Sequence, residues 1–411
     1  MDRLNHGFQS CPVCGRGCLT NLLELPDIPV FVNVLLSSAD EARFCPKGKQ
    51  RIVQCDYCGF VFNCDFEPEK VLYGSDYHAD RGESDYYQRH ISHVLDFIES
   101  VKPLKEQRVL EVACGNGEFL AKAVKRGPKA AVGIDPSAPG LAEGPFCLKN
   151  VLFDETYISQ MSCPADVLFN RHMIEHIQNP LDMLSRFHQA LADDGILYLE
   201  TPRLNWILEN QAFFDFPYEH CAYYSDYFMV SLLTMAGFEI AAAEYSYDEQ
   251  YFSICAKKRN AKPVFAQAEE ENLLYIRRSC SGLMHTYTSI NRPEVTQHFC
   301  TEMLRSGEPY LNPPSILSEG VYFWGAAAKG VMCANLLGNW PIAGFIDKNP
   351  YKWGKYIPGT GHLVLAPSQI NYPMIKTVIV ENDVYYTEIR NEVQKIDPRI
   401  LTISLSELLR M

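Results

Sequence analysis

Between Arg108 and Asp135 the chain reads RVLEVACGNGEFLAKAVKRGPKAAVGID. An apolar strand, a glycine-rich turn, a helix start and a second apolar strand ending in an acid leave few ways to fold. The pattern continues. ADVLFN (165–170) reads as a strand, residues 180–192 as a helical stretch and GILYLET (195–201) as a further strand. FEIAAAEYSY and YFSICAKK close the run as a pair of strands. Strands alternating with helices predict an α/β fold with a parallel sheet covered on both faces. Ligands of such sheets bind at the carboxyl ends of the strands.

The turn EVACGNG is neither the usual dinucleotide fingerprint nor a phosphate-binding P-loop. It is joined by Asp135, an acid at the end of the next strand that can accept from two ribose hydroxyls. This combination resembles the class I S-adenosylmethionine-dependent methyltransferases. The resemblance implies that Glu111, Gly115, Asn116 and Gly117 line the cofactor and that the two glycines let the backbone approach it. It also implies that Asp135 holds the ribose and Asn170 lies near the methionine end.

The amino-terminal region carries a different signal. Of 15 cysteines, seven fall in the first 64 residues. CPVCG (11–15) and CDYCG (55–59) are C-x-x-C knuckles, each followed by glycine. The spacing lets both thiolates of a pair reach one ion, and the glycine lets the chain turn back beneath them. Cys11, Cys14, Cys55 and Cys58 are therefore the expected ligands of a closed structural zinc site. Such a site has no open coordination position and no catalytic part. Cys18, Cys45 and Cys64 remain as substitutes for any of the four. An odd cysteine total, with no apolar signal region in MDRLNHGFQSCPVCG, argues for metal ligation over disulfides.

After a mostly polar connection at 259–306 a second alternating pattern appears. It comprises GVYFWGAAAKGVMCANLL (320–337), IAGFIDKNPYKWGKYIPGT (342–360), TVIVEND (377–383) and a final strand ILTISL. This predicts a smaller α/β unit. WGAAAKG is a poor dinucleotide fingerprint and implies no second cofactor. Lys329, Lys348 and Lys352 stand near predicted strand ends, where they could face an anionic substrate group.

The order of these motifs, with YEHCAYYS (218–225) between the last two, resembles the three-part sugar C-methyltransferases. Those enzymes act on nucleotide-linked keto-deoxysugars. PVFVN (29–33) and YGSDYH (73–78) also match segments of that family. The resemblance implies a zinc-binding domain at 1–75, a Rossmann-like methyltransferase domain at 76–258, a helical connection at 259–306 and a substrate-binding α/β domain at 307–411. Within the family a Y-x-E-H segment carries active-site groups. Glu219 and His220 match its last two positions, whereas Pro217 stands where the family has tyrosine and Tyr218 comes one place later. His176 and Tyr77 match two further active-site positions. Tyr218, Tyr224, Lys329 and Lys352 are the expected substrate contacts.

Methylating carbon needs a base beside a carbonyl and a donor for the resulting oxyanion. Histidine, with an ordinary pKa of about 6.5, suits the base, and His220 is the first choice. Glu219 would orient it or bind a hydroxyl. His176 and Tyr77 would steady the oxyanion or position the substrate. Net charge sets the remaining expectations. With 37 basic and 50 acidic residues the chain carries −13 and no basic stripe, which disfavours nucleic acid as a partner. No apolar run approaches the roughly 20 residues that span a bilayer. The expected partner is a small molecule in the cytoplasm, nucleotide-linked in the sugar-methylating reading. The alternatives are methyl transfer to oxygen or nitrogen of another metabolite, and a non-catalytic binding protein that keeps the fold.

Overall fold

The computed structural model describes residues 8–71, 84–140, 144–259, 267–291, 321–338, 340, 342–369 and 375–410. Tyr77 lies outside them. Among the described residues no helix is long and apolar enough to cross a membrane.

The front of the chain forms β1 (Leu19–Pro29), β2 (Lys47–Cys55) and β3 (Val61–Asn63), an antiparallel meander. The CDYCG knuckle sits at the β2–β3 turn, and the CPVCG knuckle precedes β1. Gly59, in the left-handed region at φ 81°, closes the β2–β3 turn with Gly59 N–H donating to the Cys55 carbonyl at 3.0 Å.

The helix Asp85–Val101 comes next. It buries Tyr87, His90, Ile91, Val94, Leu95 and Ile98, a helical stripe spaced by threes and fours. The strands β4 (Arg108–Val112), β5 (Ala130–Ile134), β6 (Cys147–Lys149), β7 (Ala165–Arg171) and β8 (Leu191–Pro202) follow, the first four separated by helices or loops. Helix Pro180–Ala190 leads directly into β8, which starts four residues earlier than GILYLET suggests. β9 (Ala222–Tyr223) then intervenes before β10 (Phe238–Ser246) and β11 (Tyr251–Lys258). The central sheet has the order β10-β11-β8-β7-β4-β5-β6. Its parallel part is apolar on both faces, because helices cover each side. The closing pair is antiparallel, with β11 against β8.

β9 does not join that sheet. It pairs with β3, Val61 opposite Tyr223 and Phe62 opposite Ala222, as the fourth strand of the front sheet. The FDFPYEHCAYYS segment is thus the place where the front sheet and the central domain interlock.

A helix, Glu270–Ile290, packs beside β1 and the helix Leu204–Glu209. It occupies the middle of the polar connection expected at 259–306. The last sheet contains β12 (Val321–Trp324), β13 (Ile342–Ile346), β14 (Val364–Leu365), β15 (Thr377–Val380) and β16 (Leu401–Ser404), all parallel, in the order β14-β13-β12-β15-β16. This order repeats that of β6-β5-β4-β7-β8 in the central sheet.

Candidate active site

At the carboxyl end of β4 the chain turns through Ala113, Gly115 and Gly117, with φ of 63°, 52° and 81°. Left-handed backbone costs alanine energy, and such strain collects at functional sites. Space for a Cβ at Gly115 is open, with nothing within 4 Å, so the backbone there is free for close approach. Gly117 caps the helix Glu118–Ala123. Gly115 N–H donates to Asp135 Oδ2 at 3.1 Å, and Ser137 donates to Asp135 Oδ1 from its backbone and its hydroxyl. The acid at the end of β5 thus lies directly against the turn. Asn116 Oδ1 accepts from Glu118 N–H at 3.2 Å and shapes the helix entrance.

Two buried polar atoms border this turn. Glu111 Oε2 and Asn170 Oδ1 find no hydrogen-bond partner among the described residues. Asn170 spends its amide on the Val112 carbonyl at 3.3 Å. Burial pushes the Glu111 carboxyl up to about 8. Orphaned buried acceptors are costly and rare. Here they sit beside an open glycine backbone, so the donor set fits a polar cofactor that hydrogen-bonds to both.

His176 lies just beyond β7 and meets His220 edge to face, with ring centroids 4.9 Å apart. Its Nδ1 donates to the Glu219 carbonyl at 2.9 Å. A carbonyl only accepts, so Nδ1 carries the proton. Burial lowers the pKa of His176, so the ring is neutral and Nε2 bears a lone pair. A neutral ring in this tautomer accepts at Nε2, which suits positioning a substrate hydroxyl better than steadying an oxyanion. Glu175, His176 and His220 each bring one ligand-type atom into a group spanning less than 4.8 Å. Burial opposes the charge of Glu175, but His172, through a hydrogen bond, and the neighbouring histidines hold it down at about 2.

The loop that carries Glu219 and His220 is held from several sides. Glu219 Oε2 accepts from Val32 N–H at 3.3 Å, and the Phe216 carbonyl accepts from Gln50 Nε2 at 2.6 Å. Tyr218 is fully buried, and its hydroxyl accepts from Glu67 N–H at 2.8 Å. A Cβ at Gly48 would run into the Tyr218 ring, so glycine is needed there for close approach. Tyr224 is equally buried and donates to the Ile174 carbonyl at 2.8 Å. Both side chains hold the loop, Tyr218 through Glu67 N–H and Tyr224 through the Ile174 carbonyl.

The three lysines have partners within the chain. Lys329 Nζ donates to Gln250 Oε1 at 2.7 Å and pairs with Asp215 Oδ2 at 3.2 Å. Lys352 pairs with Asp347 at 2.9 Å, and Lys348 pairs with Glu388 and Glu392 on the surface. Internal carboxylates engage all three.

Several residues of this region were not singled out from the sequence. Glu200, fully buried at the end of β8, gathers Arg171, His90, His172 and Tyr198. Burial opposes its charge, yet Arg171 and the histidines hold it well below the usual carboxylate range. Glu175 could have been noticed beside His176. Asp347 could have been noticed in IAGFID, which parallels AAVGID.

In the front sheet, Cys11 Sγ lies 3.6 Å from Cys58 Sγ and Cys14 Sγ 3.5 Å from Cys55 Sγ. Disulfide sulfurs are about 2.05 Å apart, so these are thiols. Four sulfurs about 2.3 Å from a tetrahedral zinc would be separated by about 3.8 Å. The four sulfurs all lie within 4.8 Å of one another, a donor set that fits such an ion. Cys18, Cys45 and Cys64 are not in the group.

Residues 84–243 match a family model described as a methyltransferase domain. Curated relatives include the tRNA U34 carboxymethyltransferase of Helicobacter pylori (strain G27), 29% identical over 116 residues, or 26% of this chain and 44% of that protein. The enzyme of the same description from Actinobacillus pleuropneumoniae serotype 3 (strain JL03) is 35% identical over 112 residues, 25% of this chain and 35% of that protein. The chain thus spans less than half the length of these curated relatives. Among solved structures, the magnesium protoporphyrin IX methyltransferase of Synechocystis PCC 6803 with bound SAH has a TM-score of 0.33 at 18% identity, covering 42% of this chain and 84% of that one. An S-adenosylmethionine-dependent methyltransferase of Mesorhizobium loti has a TM-score of 0.31 at 14% identity, covering 40% and 96%.

Proposed function

We propose that this methyltransferase domain uses S-adenosylmethionine to methylate carbon next to the carbonyl of a nucleotide-linked keto sugar, with His220 as base. One observation carries the reading. The open glycine turn and its orphaned Glu111 and Asn170 acceptors share a sheet edge with the edge-on His176–His220 pair. S-adenosylmethionine, when bound, supplies an electrophilic methyl group. Asp135 accepts from its ribose, while Glu111 and Asn170 engage its polar end. His220 removes the proton beside the acceptor carbonyl. His176, neutral and protonated at Nδ1, accepts from a substrate hydroxyl at Nε2. This leaves Tyr77 as the donor proposed for the enolate oxygen. Glu219 keeps His220 in place through its bond to Val32 N–H. Cys11, Cys14, Cys55 and Cys58 hold a structural zinc ion that stiffens the front sheet against β9.

A second reading is methyl transfer to oxygen or nitrogen of another small metabolite. The placement of Tyr218 favours it, since the hydroxyl that the sugar-methylating family offers at this loop is missing here. The tRNA-modifying relatives match only over a short stretch, and the net charge of −13 disfavours a polyanion. A non-catalytic protein would have little use for an open, strained turn.

The test is proton exchange. Incubation with keto-sugar nucleotides in D₂O should place deuterium beside the carbonyl, dependent on His220, and S-adenosylmethionine should then add one methylene mass. Methylation without any deuterium exchange would favour oxygen or nitrogen. The absence of S-adenosylmethionine binding by calorimetry would overturn both readings.

A further inference from the structure

Lys329 belongs to the helix Ala328–Leu336 that follows β12, yet its ammonium group ends among residues of the central domain. It donates to Gln250 Oε1 at 2.7 Å, pairs with Asp215 Oδ2 at 3.2 Å and sits 4.7 Å from the centre of the Trp206 ring. An ammonium has three donors, and these three directions use them. Its side chain is only 15% exposed, so the pairing is less screened than a surface salt bridge.

Both partners matter. Asp215 ends the turn Phe213–Asp215 and stands four residues before Glu219. Gln250 closes a β10–β11 turn in which Tyr247, Asp248 and Glu249 hold φ of 53°, 57° and 61° in succession. Three consecutive non-glycine residues in that region store strain, which the surrounding contacts must hold. Tyr247 packs on Tyr251 and His90 of the central domain, and further contacts come from the last sheet. Gln250 Nε2 donates to Asn382 Oδ1 at 3.3 Å, and the Tyr247 and Tyr385 hydroxyls bond to each other. The carboxyl edge of the last sheet therefore grips two loops of the methyltransferase domain, and Lys329 touches both.

We infer that Lys329 is a positioning residue: it ties the Asp215–His220 loop to the strained 247–250 turn and so sets the geometry of His220. The inference rests on the reading of that loop as catalytic. A ligand docking on the last sheet would act on the loop through the same side chain.

Hydrogen–deuterium exchange on the full chain tests this without any acceptor. Lys329→Met keeps the stem against Trp206 and removes the charge. Exchange over 213–222 should speed up by about tenfold, while the 108–120 peptides and S-adenosylmethionine affinity stay as in the parent. Asp215→Asn should produce the same change, and the double variant should be no worse than either single one. If Lys329→Met does not fold, Asp215→Asn alone carries the test. Unchanged exchange at 213–222, or additive effects, would overturn the inference. In a methyl-transfer assay the variant should lower kcat with little change in KM for S-adenosylmethionine, a split that general destabilisation does not produce. A loosened loop with full turnover would overturn the catalytic reading of the loop and leave the tie itself intact.

Discussion

The central and carboxyl-terminal sheets follow one plan and differ in what fills it. Strand order matches from β6-β5-β4-β7-β8 to β14-β13-β12-β15-β16. The hydrogen bonds at the turn repeat too. Ala113 N–H reaches the Ile134 carbonyl and Gly325 N–H the Ile346 carbonyl, both at 2.8 Å. Asp135 accepts from Gly115 N–H at 3.1 Å, and Asp347 from Ala326 N–H at 2.9 Å. Beyond that the two part. The Cβ position of Gly115 is open, whereas that of Gly325 falls on the Glu381 carboxylate. Among the described residues Asp135 is bonded only by neutral donors of its own unit, whereas Lys352 neutralises Asp347. One cradle is open to a cofactor, and the other is closed by its own side chains. Shared topology does not carry shared function; the side chains at the strand ends decide.

The largest expected effect tests which edge does chemistry. His220→Ala should cut turnover by about 10²–10⁴-fold, the usual worth of a positioned base, with folding and cofactor binding intact. Lys348→Ala, at a surface ion pair of the other unit, should change turnover less than about twofold. A methyl-transfer assay with matched thermal melts would show it, and near-normal turnover of His220→Ala would move the base to His176.

Next comes the paired acid. Asp135→Ala should weaken S-adenosylmethionine binding by about tenfold to a hundredfold, since a charged hydrogen bond contributes about 1.5–3 kcal/mol. Asp347→Ala should leave that affinity unchanged in calorimetry. Equal losses from both would mean that the second cradle opens and also binds the cofactor.

The front sheet provides a control outside both units. Cys55→Ser should abolish stoichiometric zinc and lower the first melting transition by roughly 5–10 °C, because metal binding and local folding are linked. Elemental analysis of chelator-free protein would decide it. Affinity for S-adenosylmethionine should be retained, since no thiol of the group belongs to the cofactor turn.

The smallest effect is a pH dependence in the closed cradle. Burial pushes the Glu381 carboxyl up to about 8 from the ordinary 4.5, and its Oε2 is enclosed. The folded state then binds a proton that the unfolded state has lost. Stability from this group is full below about 4.5 and falls as pH rises through about 8. Glu381→Gln should raise the melting temperature at pH 8.5 by about 2–4 °C and change it little at pH 5. Equal shifts at both values would mean that the carboxyl is not titrating in that window.

The sequence by itself determined most strands of the two parallel sheets and their order of appearance, with the glycine turn, the acid after β5 and the paired knuckles. Each is a local pattern: apolar runs set strands, left-handed turns need glycine, and C-x-x-C spacing brings two sulfurs together. His220 stood out as a residue type suited to the chemistry, and the family resemblance brought His176 forward. What each polar side chain faces was decided only in three dimensions. Nothing local says that β9 leaves the central domain for the front sheet, or that Tyr218 meets Glu67 N–H. Nothing in WGAAAKG says that Lys329 reaches back to Asp215 and Gln250. A lysine near a strand end is the same letter whether it meets a phosphate or a carboxylate of its own chain. Asp215 lies over a hundred residues away in sequence and Gln250 79, and only packing chooses them.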